Sequence, residues 1–127
     1  MSDLVDEARK ARENAAASFS KFKVGAALRT AAGKIYRGCN VENSTYGLTV
    51  CAERVALLSA LAAGERKFTA IAVVTQSEEP STPCGPCRPL MWEYCGDIEV
   101  TLANLAGQRV EYKLSTLFPY PFTFSVD

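Results

Sequence analysis

Residues 51–75, which run CAERVALLSALAAGERKFTAIAVVT from Cys51 to Thr75, decide the fold. Over residues 52–63 the apolar side chains Val55, Ala56, Leu57, Leu58, Ala60 and Leu61 fall on nearly every side of a helix, so that helix is expected to be buried all round. Gly64 ends it. Phe68 to Thr75 follows as one continuous β-branched and apolar run, the pattern of a central strand covered on both faces. A buried helix feeding such a strand places the chain in the α/β class.

Upstream, residues 3–17 carry Leu4, Ala8, Ala11 and Ala15 at helical spacing, with acids in the first turn and Lys10 and Arg12 further on. This predicts an amphipathic helix capped by Ser2 or Asp3. Phe22 to Arg29 and Ile35 to Val41 read as the two strands of a hairpin that turns at Ala31-Ala32-Gly33-Lys34. Gly25, inside the first strand, marks a point where a backbone or a ligand approaches closely. Downstream, the polar stretch 76–82 is a loop leading to Pro83, and a helix over residues 85–94 tolerates Pro86 and Pro89 only in its first turn. Ile98 to Ala103 and Arg109 to Lys113 are two more strands, and Ser115-Thr116-Leu117 starts a short final turn. The expected architecture is one domain over residues 1–127, three layers (α/β/α) around a mixed five-stranded sheet.

Fourteen Lys and Arg balance fourteen Asp and Glu, so there is no charge excess to attract nucleic acid or an anionic membrane, and a small neutral substrate fits better. No apolar run approaches the length of a membrane span or a signal core. Five cysteines, two of them in a Cys-x-x-Cys pair, suit a reducing interior; the expectation is a soluble cytoplasmic protein with Cys39 and Cys95 packed in the core.

The chain has no histidine, so any zinc site must be built from cysteine and carboxylate. Cys51 stands at the start of one helix, and Cys84 and Cys87 stand at the start of the next. Helix N-termini favour negative charge, and three thiolates held there match a zinc site with three protein ligands and one open position. Arg54 or Arg88, each adjacent in sequence, offsets the surplus negative charge by donating to sulfur. With the ligand count complete, Glu53 reads as the acid/base that shuttles protons. Asn40 and Glu42 share one face by strand alternation and make a hydroxyl clamp; the alternative is an exposed strand end entering a turn at Asn43-Ser44.

Two other readings compete for the cysteines. Packed as small hydrophobes they leave Glu53, beside a sulfur, unexplained. Cys84-Gly85-Pro86-Cys87 also fits a thiol–disulfide oxidoreductase, which leaves Cys51 and Glu53 without a role.

Several separated segments occur together: Ser20-Lys21-Phe22-Lys23-Val24-Gly25-Ala26-Ala27-Leu28, Gly38-Cys39-Asn40-Val41-Glu42-Asn43, Tyr46-Gly47, Cys51-Ala52-Glu53-Arg54, Pro83-Cys84-Gly85 ahead of Cys87-Arg88, and Leu117-Phe118-Pro119 ahead of Phe122. In that order the chain resembles the small, homotetrameric type of cytidine deaminase over nearly its whole length. The resemblance implies Zn2+ on Cys51, Cys84 and Cys87, Glu53 as the catalytic acid/base, and Arg54 bonding the ligand sulfurs. It implies Phe22 packed on the base, Ala52 among the substrate contacts, and Asn40 and Glu42 on the ribose hydroxyls. Tyr46 and Phe122 then complete active sites shared between subunits of a tetramer. The implied activity is hydrolytic deamination of cytidine and 2′-deoxycytidine to the uridine forms with release of ammonia, a step of pyrimidine salvage. Pro89 stands where glutamine is usual, and the tail is shorter and more aromatic; both bear on substrate preference. A deaminase of an aminonucleoside antibiotic or a modified cytidine is the alternative on the same scaffold.

Overall fold

The computed structural model describes residues 3–45, 48–78 and 87–119. In chain order its elements are α1 (Leu4–Arg12), β1 (Gly25–Thr30), β2 (Ile35–Cys39), α2 (Ala52–Ala62), β3 (Phe68–Thr75), α3 (Cys87–Cys95), β4 (Glu99–Asn104), β5 (Arg109–Lys113) and α4 (Leu114–Leu117). The five strands form one sheet in the order β2-β1-β3-β4-β5. β1 is antiparallel to β2 and β3, β3 is parallel to β4, and β4 is antiparallel to β5, so the sheet is mixed as expected.

Its two faces differ in side-chain size. Toward α2 and α3 the strands turn Leu28, Ile71, Val73, Val100 and Leu102, which meet Leu57 of α2 and Met91 of α3. Toward α1 they turn Ala27, Ala70, Ala72 and Ala103, with Val74. Period-two alternation thus sorts the same strands into a thick layer and a thin one, and the thin one lets α1 lie close. The approach is closest at Gly25, where an added methyl group would run into the Ala8 carbonyl and the backbone of Arg12. What comes near Gly25 is therefore the α1 backbone. Gly38 does the same on the other face: a methyl group there would strike the Ala52 carbonyl and the Ala56 nitrogen, so the first turns of α2 rest on β2.

Four expectations are corrected. α1 stops at Arg12 instead of running to residue 17. Ala16 leaves the helix to bridge Val41, its N–H donating to the Asn40 carbonyl and its own carbonyl accepting from the Glu42 N–H, each at 2.9 Å. Tertiary pairing overrides the helix preference of the alanines. β1 starts at Gly25 and not Phe22, and β2 ends at Cys39 and not Val41, because residues 40–42 pair instead with Ala16 and Val50. α2 is buried only along Ala52, Glu53, Ala56, Leu57 and Ala60, and Leu58 is 49% exposed, since one side of the helix alone meets the sheet. Neither Cys39 nor Cys95 lies inside the core as expected: both are half-buried, Cys95 against the core's margin, and burial pushes both thiols up, Cys95 to about 12.

Asp3 caps α1, its Oδ1 accepting from the Val5 N–H at 3.0 Å, while Oδ2 accepts from Arg109 Nη2 at 2.6 Å. Arg109 first, and the cap bond second, hold the Asp3 carboxyl below its ordinary value. Because the ion pair is exposed, Arg109 itself adds little to stability. Asp3→Ala is expected to cost about 1 kcal/mol at neutral pH, the usual scale of a lost N-cap. With the folded pKa depressed, this contribution is full above the ordinary carboxylate pKa of about 3.9 and is lost as pH falls through the folded value. Denaturant titrations at neutral pH and in strong acid check it: the gap between the two proteins closes in acid.

Candidate active site

The candidate groups gather at one end of the sheet, where β1 begins and β2 and β3 end, with Gly25 paired to Cys39 on one side and Val74 on the other. α2 starts at the same end. Its N-cap is Cys51, in extended geometry (φ −72°, ψ 153°), standing where Ser, Thr, Asp or Asn usually accepts a bond from the first turn. Cys51 makes no such cap bond. Arg54 Nη2 lies 4.0 Å from Cys51 Sγ and donates to the Thr49 carbonyl at 3.0 Å. A guanidinium fixed there favours the thiolate. Arg88, the other cation adjacent to a cysteine in sequence, donates to the Leu117 carbonyl at 2.9 Å and ties α3 to α4.

Cys87 opens α3 and is fully buried, and α3 packs on α2. Thiols at the starts of two packed helices, one with a cation beside it, are a donor set that suits zinc, so the residues fit the metal. Cys84, the third expected ligand, lies outside the described residues, as do Tyr46 and Phe122. Among the described residues no three metal-binding side chains converge.

Glu53 is only 4% exposed. Together with Cys51 and Ala52 it lines a cavity of about 240 Å³. Phe22, Val24, Val50 and Val73 make the walls apolar, and Asn40, Thr49 and Thr75 supply polar points. Apolar walls suit the faces of a small ring, and a few placed polar groups suit its edge.

Asn40 is buried and its amide is half engaged. Oδ1 accepts from the Val24 N–H at 2.9 Å, and Nδ2 donates to the Phe22 carbonyl at 2.8 Å. One N–H and one lone pair of the amide remain. Glu42 lies in an adjoining cavity of about 280 Å³, with Phe19, Ser20 and Thr49. Its Oε1 accepts from the N–H groups of Phe19 and Ser20, each at 3.0 Å, and its Oε2 accepts from the Ser20 hydroxyl. The Ser20 hydroxyl first, and the backbone bonds after it, hold the Glu42 carboxyl below its ordinary range. Thr49 lines both cavities, so Asn40 and Glu42 stand at neighbouring halves of one cleft.

Sequence reasoning assigned no role to Thr49, Thr75, Ser20 or a buried Arg12. Thr75 carried a usable signal: it closes the central strand at the carboxyl end of a parallel pair, where α/β sheets place ligands. Arg12 carried none, since it reads as a late-turn helix cation. In the fold it is buried, with Nε donating to the Lys23 carbonyl at 3.1 Å and Nη2 to Gln76 Oε1 at 2.5 Å.

Residues 1–102 match the family described as the cytidine and deoxycytidylate deaminase zinc-binding region. The chain is 48% identical over 121 residues to a cytidine deaminase of Sporosarcina psychrophila, covering 94% of this chain and 89% of that one. It is 36% identical over 112 residues to a blasticidin-S deaminase of Bacillus cereus, covering 82% and 79% of the two. Among solved structures it is similar to a cytidine deaminase from Burkholderia pseudomallei, with a TM-score of 0.92 and 50% identity, covering 96% of this chain and 100% of that one.

Proposed function

The chain belongs to the zinc-binding cytidine and deoxycytidylate deaminase family, and from that membership we propose that it acts on the nucleoside, hydrolysing cytidine and 2′-deoxycytidine to the uridine forms and ammonia. The observation that carries this reading is Glu53, a carboxylate buried to 4% exposure two residues after a thiol at a helix N-cap, in a cavity with apolar walls.

Cys51, Cys84 and Cys87 would hold the zinc, which would supply a Lewis acid able to activate a water near neutral pH. Arg54, with Nη2 4.0 Å from the Cys51 sulfur, would offset the negative charge of the thiolates. The Glu53 carboxylate takes one proton from the attacking water and delivers it to ring N3, then carries the second to the departing amino nitrogen. The water oxygen stays on C4 and ammonia leaves, so the atoms balance. Phe22 lies against the ring, Ala52 borders it, and the remaining amide positions of Asn40 orient its sugar with Glu42.

The choice of nucleoside over nucleotide follows from charge. No Lys or Arg lines either cavity among the described residues, and the segments outside them contain none. Lys21 acts on Glu42 from outside the cavity lining, but with no cation on either wall a 5′-phosphate entering beside that carboxylate is left without a direct partner. Steady-state rates with 2′-deoxycytidine and its 5′-monophosphate test this. The nucleoside is expected to have the larger kcat/KM by about 100-fold, the scale of a like-charge clash. Equal or faster turnover of the monophosphate overturns the assignment.

The 127 residues act as one domain, in a homotetramer whose neighbours contribute Tyr46 and Phe122 to shared sites. Leu58 on α2 and Tyr94 on α3, 49% and 44% exposed, support an apolar contact between subunits. Thiolate ligands call for a reducing compartment, which supports a cytoplasmic place in pyrimidine salvage. No helix among the described residues is long and apolar enough to cross a membrane.

A further inference from the structure

We propose that Ser20 is a positioning residue that couples recognition of the sugar to the placement of Phe22 on the base; this rests on the nucleoside reading above. Phe22 is carried on an exposed turn whose backbone passes through the left-handed region at Lys21, with φ at 62°. A side chain other than glycine visits that region uncommonly, so the turn needs holding. Lys21 N–H donates to the Ala17 carbonyl at 2.9 Å, and the rest of the hold comes from Glu42 and Ser20. The Ser20 hydroxyl donates to Glu42 Oε2 and its oxygen accepts the Phe22 N–H at 3.0 Å. Asn40 fixes the other side of the same residue by donating to the Phe22 carbonyl. Phe22 is thus pinned at both its N–H and its carbonyl.

A carboxylate offers about four acceptor positions. Three on Glu42 are taken by Phe19 N–H, Ser20 N–H and the Ser20 hydroxyl, and the one left is on Oε2, beside Ser20. A sugar hydroxyl donating there shares an oxygen with Ser20, whose own oxygen holds Phe22. Contact with the sugar and contact with the ring then belong to one chain of hydrogen bonds.

Kinetics of Ser20→Ala and Ser20→Thr with cytidine, 2′-deoxycytidine and 3′-deoxycytidine test the coupling. Turnover of cytidine by the unaltered protein checks the nucleoside reading separately. In Ser20→Ala, KM for cytidine is expected to rise about fivefold to tenfold with kcat little changed, the scale of one lost hydrogen bond. The discrimination between cytidine and whichever deoxy form the unaltered protein disfavours shrinks in parallel, and Ser20→Thr, which keeps the hydroxyl, restores both. A Ser20→Ala protein with a lower melting temperature but undiminished discrimination, or an unaltered protein indifferent to both hydroxyls, overturns the proposal.

Discussion

Glu53→Gln is expected to lower kcat by about 1,000-fold or more, since general acid–base catalysis by one group is commonly worth about 10² to 10⁴ and Glu53 is asked to move two protons. Three decades of rate correspond to about 4 kcal/mol of barrier. The amide keeps the shape of the side chain, so the buried position at the start of α2 is still filled. It cannot accept a proton as a carboxylate does. The thiols are untouched, and zinc content should stay at one per chain. Rapid-mixing kinetics with metal analysis on the same sample measures both. A kcat within tenfold of the unaltered enzyme removes Glu53 from the proton path, whereas loss of zinc alongside activity makes it a ligand.

The largest effect on stability is expected at Gly38. A methyl group there meets the Ala52 carbonyl and the Ala56 nitrogen, which are backbone and cannot rotate away as a side chain could. Overpacking ordinarily costs about 1–3 kcal/mol, and a clash with the helix backbone belongs at the top of that range. For a domain of this size, about 3 kcal/mol lowers Tm by roughly 10 °C. The same displacement moves the first turn of α2 off β2, and with it Cys51 and Glu53, so zinc should be released faster. Calorimetry and a chelator-release assay on Gly38→Ala check the two effects. A Tm within about 2 °C of normal, on a scale where 1 kcal/mol shifts it by several degrees, shows that α2 does not depend on this contact.

Much of this was legible in the sequence where the local pattern and the tertiary environment agree. Phe68 to Thr75 reads as a strand buried on both faces and forms β3 over those same residues, with all but Thr69 buried. Arg109 to Lys113 likewise forms β5. Cys51 and Glu53 stand out in the sequence by their place at a helix start and their pairing with a Cys-x-x-Cys segment, and the fold puts both on one cavity. The misreadings fall where a distant partner decides. Ala15, Ala16 and Ala17 look helical, yet Ala16 pairs with Val41. Leu58 looks like core, yet only one side of α2 faces the sheet. Gly25 announced a close approach without saying what approaches, because an α1 backbone and a ligand leave the same mark on a strand. Glu42 reads as half of a hydroxyl clamp or as an exposed strand end, and that its carboxylate is already holding residues 19 and 20 depends on a turn more than twenty positions away.

X-ray absorption at the zinc edge, on protein purified without chelator, most directly tests whether three cysteines hold an open catalytic metal. The expected spectrum has three sulfur scatterers at about 2.3 Å and one oxygen or nitrogen at about 2.0 Å. Four sulfur scatterers, or a protein that turns over cytidine while holding no zinc, would contradict it.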